Sequence, residues 1–166
     1  MLDAEAGLFC EPAGGPVNAH VSDGALLARV LIGFALSFVL GFERELRGSA
    51  AGDRTFALVG AASACIAAVT ATTPQALAGI ITGVGFIGGG VILRTSEDNI
   101  RGVTTAAAIF AAAAVGLVVG TGHLVLGTVV AALVLFVLEL RFLPVLRGLD
   151  ARRYAARFRP DASPPG

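Results

Sequence analysis

Two stretches of this chain are poorly suited to a fold that faces water. Thr55 to Leu93 and Gly102 to Leu138 run for 39 and 37 residues without an Asp, Glu, Lys or Arg. A helix of about 17–25 predominantly apolar residues suffices to cross a bilayer, so each stretch has room for two crossings. Only 14% of the 166 residues are charged, against about 25% in a typical soluble domain, and the mean hydropathy is +0.82. An ordinary water-soluble enzyme is excluded. A net charge of zero, with no dense basic face to neutralise phosphates, argues against nucleic acid as a partner.

Local punctuation divides the apolar stretches. Pro74, in the segment TTPQ, suits a helix boundary or first turn, and GTGH at 120–123 suits a tight reversal. Another apolar run, Ala25 to Phe42, contains Arg29 near its start, where the long side chain reaches the interface. The sequence predicts an all-α, polytopic transmembrane bundle of about five spans, near 25–42, 55–72, 76–93, 103–120 and 124–141. An acidic, flexible tail (1–24) precedes it and a short basic, Pro-containing tail (142–166) follows. Eleven of the twelve arginines fall in the 1–2 connection, the 3–4 connection or the C-terminal segment. The basic-residue bias places these in the cytoplasm and the N-terminus outside, as expected of a multi-pass protein of the inner (plasma) membrane. Cys65 reads as a small packing residue. Cys10 follows Asp3 and Glu5 with no basic or apolar leader, so no lipid anchor is expected there.

Ala and Gly supply nearly a third of the chain, a choice that favours close helix approach over lipid contact. Gly33, Ser37 and Gly41 share one face of the first span. Gly79 with Gly83, and Gly116 with Gly120, repeat the spacing in the third and fourth. This repetition predicts a tight bundle and is compatible with a homo-oligomer. The segment GFIGGG, with Gly85, Gly88, Gly89 and Gly90, reads either as a closely packed wall or as an unwound stretch with free backbone groups.

Polar chemistry gathers on the predicted cytoplasmic side. GFERELRG carries Glu43, Arg44, Glu45 and Arg47, and AGDRT adds Asp53 and Arg54. Glu43 and Arg47 are spaced to pair on one helical face. Arg94, Glu97, Asp98 and Arg101 share the second charged loop, before Thr104 and Thr105. These threonines are placed to cap the fourth span or bond a neighbouring helix. The cluster reads either as a solvated junction or as a charge network that closes this side or docks a membrane partner. Its carboxylates are competent for Mg²⁺ but define no metal site. No charge lies deep in spans two to four, which weighs against an ion path. No catalytic constellation is present. The glycine run lacks the Gly-Lys-Ser/Thr ending of a phosphate loop, and no cofactor is expected.

Three blocks in order, GFERELRGSAAGDRTFALVGA (41–61), GIITGVGFIGGGVILR (79–94) and IRGVTTAAAIFAAAAVGLVVGTGH (100–123), closely resemble the MgtC/SapB family of bacterial inner-membrane proteins. The resemblance covers roughly residues 26–140. It implies roles for Arg29 at the start of the first span, for Glu43, Arg44 and Glu45, and for Ala51, Gly52, Arg54 and Thr55. It also picks out Gly83, Gly85, Phe86, Gly88 and Gly90, and Gly102, Thr104, Thr105, Ala106 and Ala107. Phe110 stands where the family commonly has Trp, which removes an indole donor. The short segment after the last span fits the form lacking a soluble C-terminal domain. The resemblance implies a non-enzymatic protein that modulates Mg²⁺ or envelope homeostasis through membrane partners, or alternatively a transporter of Mg²⁺ or another solute.

Overall fold

The computed structural model describes residues 21–70, 73–93 and 102–140, and these form five helices. They are α1 (Asp23–Leu46), α2 (Asp53–Thr70), α3 (Pro74–Leu93), α4 (Val103–Gly120) and α5 (Leu124–Glu139). The all-α expectation holds. Helices α1 to α4 are long and apolar enough to cross a membrane, whereas α5 is apolar with 16 residues. Sixteen residues rise about 24 Å, less than the ~30 Å hydrocarbon core. The tails, Arg94 to Arg101, and Arg141 onward lie outside the described residues.

Helix ends follow local chemistry. Ser22 caps α1 through its hydroxyl, which accepts from the Ala25 N–H at 3.3 Å. At the other end of α1, the Gly48 N–H donates to the Glu45 carbonyl and the Ser49 N–H to the Arg44 carbonyl. Gly48 is left-handed, with φ +66°, so this is a Schellman stop that an L side chain would strain. The same pattern closes α4, with Gly122 at φ +99° and the His123 N–H donating to the Val118 carbonyl. Pro74 opens α3, where its missing N–H costs nothing. Helix α1 runs past the expected span end at Phe42, through the rest of the GFERE block to Leu46.

Helix α4 is the hub and touches all four others, while α1 and α3 do not touch. The tightest packing joins α1, α2 and α4 at glycines. A Cβ on Gly33 would stand 2.8 Å from the Ala64 Cβ, with the Gly116 Cα 3.7 Å away. On Gly116 it would collide with the Gly60 carbonyl oxygen, and on Gly120 with that of Ala64. On Gly41 it would lie 2.7 Å from Asp53 Cα and Phe56 Cβ. Backbone therefore meets backbone along this seam, as small residues permit in membranes.

Helix α3 departs from the sequence expectation. Its helix is continuous through GFIGGG, so the run does not unwind. Nor is it a packed wall, for a Cβ on Gly79, Gly83, Gly85, Gly89 or Gly90 would meet nothing within 4 Å. Only Gly88 faces a neighbour, with Ala106 Cβ 3.6 Å from the Cβ position. Spacing alone does not say which side of a helix another helix covers. Here α4 takes the Ile80, Val84 and Gly88 side and leaves the other glycines outward.

Candidate functional site

The sequence-picked polar residues divide between the two ends of the bundle. Arg29 stands apart from the rest. Its Nη1 donates to the Gly120 carbonyl at 3.2 Å, and its guanidinium lies against Gly122. It thereby satisfies a carbonyl in the last turn of α4, where the helix dipole favours a cation. Arg29 thus ties the start of α1 to the end of α4, far along the helix from Glu43.

At the opposite end, Glu43 and Arg44 are buried and paired through two bonds, Arg44 Nε to Oε2 at 2.5 Å and Nη2 to Oε1 at 2.8 Å. Arg47 approaches Glu43 from the next turn, Nε to Oε1 at 3.5 Å. Its Nη2 donates to both oxygens of Glu139 on α5, at 2.9 and 2.8 Å. Hydrogen bonding to Glu139 pushes the Arg47 guanidinium above its already high range. The result is a chain of alternating charge, Arg44–Glu43–Arg47–Glu139, that runs from buried to exposed and couples α1 to α5.

A second set fastens α2. The Glu45 carboxylate accepts from the Asp53 N–H at 3.1 Å, placing negative charge at the positive end of the α2 dipole. Asp53 accepts from the Arg54 N–H at 2.6 Å. Gly52 leaves room for this cap, because a Cβ there would displace the Glu45 carboxylate from it. Thr105 bonds Ser49 of the α1–α2 connection at 2.7 Å. Neither threonine caps α4, whose N-cap is Gly102 and which has no side-chain cap. Thr104 is exposed and borders an apolar groove between α4 and α5. Thr55 is half-buried in the first turn of α2 and Arg54 is exposed. Arg94 and Arg101 fall outside the described residues.

Sequence reasoning missed Glu139, Ser49 and Gly60. Glu139 was visible as the acid that ends the second uncharged stretch. Gly60 was hidden because its four-residue partners are Phe56 and Ala64 rather than glycines. No group of three or more His, Cys, Asp or Glu positioned for a metal occurs among the described residues. The carboxylates present are already engaged by guanidinium or backbone N–H groups. In chemical terms the site is a set of interlocked ion pairs and helix caps at one end of the bundle.

Comparison with known proteins places these features. The MgtC family profile matches residues 30–144. The chain is 37% identical over 127 residues to "Putative magnesium transporter YhiD" of Escherichia coli K12, covering 68% of this chain and 59% of that protein. It is 35% identical over 136 residues to "Protein SapB" of Bacillus subtilis 168, covering 74% and 58%. Against "Protein MgtC" of Salmonella typhimurium LT2 it is 40% identical over 104 residues, covering 59% and 42%. The chain therefore spans a little under three fifths of the length of the first two. No solved structure matches.

Proposed function

Because this chain belongs to the MgtC/SapB family, we propose that it modulates Mg²⁺ or envelope homeostasis through contacts with other membrane proteins. It is a non-catalytic, multi-pass protein of the inner membrane, and the family is linked to that homeostasis. The observation that carries the regulatory reading is the closed seam between α1, α2 and α4. Gly33, Gly60 and Gly116 meet there at backbone contact, and no charged side chain lies among them. A hydrated divalent cation, which gives up its water reluctantly, has no room along that axis.

The charged end has the opposite character. Arg47, Glu139, Glu45 and Arg54 present both signs at the surface, a pattern that steers and selects a partner more than it binds an ion. We assign this end to the cytoplasm, with the N-terminus outside, following the arginine bias. Transport is the second reading, favoured by the printed name of the E. coli relative.

Reconstituted vesicles containing a Mg²⁺ indicator separate the two. The regulatory reading expects uptake equal to that of protein-free vesicles, and a defined membrane protein recovered with the wild type but lost with Arg47→Glu. Saturable uptake abolished by Glu43→Gln or Asp53→Asn would overturn it.

A further inference from the structure

We propose that this chain pairs with a second copy of itself in the membrane, the phenylalanine ladder of α1 from each copy entering the groove beside Gly79 and Gly83, between α2 and α3 of the other. The inference is independent of the regulatory reading above. It starts from α3, which is the least buried of the four long helices yet carries most of the open glycines. A glycine in a helix costs about 1 kcal/mol against Ala, and within one copy Gly79 and Gly83 gain no close contact in return. Beside them lies a groove of about 560 Å³ between α2 and α3, lined by Gly79, Gly83, Ala76 and Ser63 together with the larger Leu58 and Ile87.

The complementary surface is on α1. Phe34, Phe38 and Phe42 are exposed and stacked, with ring centroids 6.1 and 6.3 Å apart. Four residues of helix rise about 6 Å, which is also the interval between Gly79 and Gly83. Ile32 and Leu36, on one flank of the buried Gly33–Ser37–Gly41 strip, pack toward α4 and α5. The ladder occupies the other flank, beside the outer face of α2, where Leu58, Cys65 and Val69 are exposed.

Depth in the bilayer matches as well. Gly33 lies against Gly116, and Arg29 reaches Gly120. Gly88 lies against Ala106, and Gly102 against Val91. Both helices run antiparallel to α4, so Phe38 and Gly83 are each level with Ala111, and Phe34 and Gly79 are each level with Val115. A two-fold axis along the membrane normal preserves depth and is the commonest homo-oligomer symmetry. With that axis over α2, it sets each ladder opposite its groove. Three helices about 9 Å apart and ~27 Å long present roughly 700 Å² per copy. The pair would bury about 1,400 Å², within the ~1,200–2,000 Å² of stable interfaces.

Two measurements test this in lipid. Single-molecule photobleaching of the full chain in vesicles is expected to count two copies, and the Gly79→Leu/Gly83→Leu variant one copy with unchanged helical circular dichroism. Independently, two differently tagged chains, both carrying Cys10→Ser and Cys65→Ala, are co-expressed, one with Phe38→Cys and the other with Gly83→Cys. Since α1 and α3 do not touch within a copy, oxidation should join the two tags at least tenfold more than when Phe136→Cys, on the exposed face of α5 and at the depth of Phe38, replaces Gly83→Cys. A single wild-type copy, two copies persisting in the leucine variant, or equal cross-linking at Phe136 would each overturn the pairing.

Discussion

The Ser37 hydroxyl is fully buried, and among the described residues it has no hydrogen-bond partner. It sits where a Cβ on Gly60 would strike it, so its value lies in small size rather than polarity. Burying an unbonded hydroxyl costs about 1–3 kcal/mol. Ser37→Ala is therefore expected to leave thermal stability in detergent unchanged or raise it, and a drop of several degrees would count against the packing reading. Glu43 presents the reverse case. It is buried between two guanidinium groups, and Glu43→Gln would leave Arg44 buried without its counter-charge, a loss of about 3 kcal/mol. Glu139 is half-exposed and pairs only at the surface, where such bonds contribute at most about 1 kcal/mol. Denaturant unfolding of the two variants should show the first clearly more destabilised than the second. Equal losses would mean that the network acts as one unit.

Among the elements, α4 and α3 are alike in composition and opposite in role. Both are apolar and rich in small residues, yet α4 is the most buried of the long helices and α3 the least. Gly116→Ala forces a methyl onto the Gly60 carbonyl, and rigid backbone cannot yield as a side chain can. Overpacking of this kind costs about 1–3 kcal/mol. Gly85→Ala meets open space and gains up to about 1 kcal/mol in helix propensity. Melting curves should move in opposite directions, and the same displacement for both would refute the assignment of the seam.

This contrast also marks what sequence could reveal. The α4 bounds were legible because Arg101 precedes, and GTGH divides, an apolar run with no charge, and the charged end was legible because charge is otherwise confined to the two tails and Arg29. The α1–α2–α4 seam was half legible, since Gly33, Gly41, Gly116 and Gly120 carried the spacing but their partners Gly60 and Ala64 did not. That the α3 glycines other than Gly88 face away from the rest of the chain was not legible, because periodicity gives a helix a small face without naming its neighbour. The separation of Arg29 from Glu43 follows from where α1 begins and ends. Its bond to Gly120, however, depends on the antiparallel register of α1 and α4, which no local motif encodes.

For the molecule as a whole, contacts fix which segments share an end. Arg47 with Glu139 and Ser49 with Thr105 gather the α1–α2 connection, the start of α4 and the end of α5 on one side. Arg29 with Gly120 gathers the start of α1 and the α4–α5 turn on the other. Of the described charged residues all but Asp23 and Arg29 lie at the first end, and moving an Arg into the hydrocarbon core costs about 2.5–3.5 kcal/mol on insertion scales. Inverting the bundle would not bury those arginines. It would, however, require their export across the membrane, which the basic-residue bias opposes. The orientation is therefore open to a direct reading with Ala50→Cys and His123→Cys, two exposed positions at opposite ends, in chains carrying Cys10→Ser and Cys65→Ala. An impermeant maleimide added to spheroplasts should label His123→Cys and spare Ala50→Cys until the membrane is broken. Labelling of Ala50→Cys from outside would reverse the orientation and move the proposed partner surface to the periplasmic face. Labelling of both positions from one side would break the shared-end arrangement itself, since Arg29–Gly120 and Ser49–Thr105 would no longer lie across the bilayer from each other.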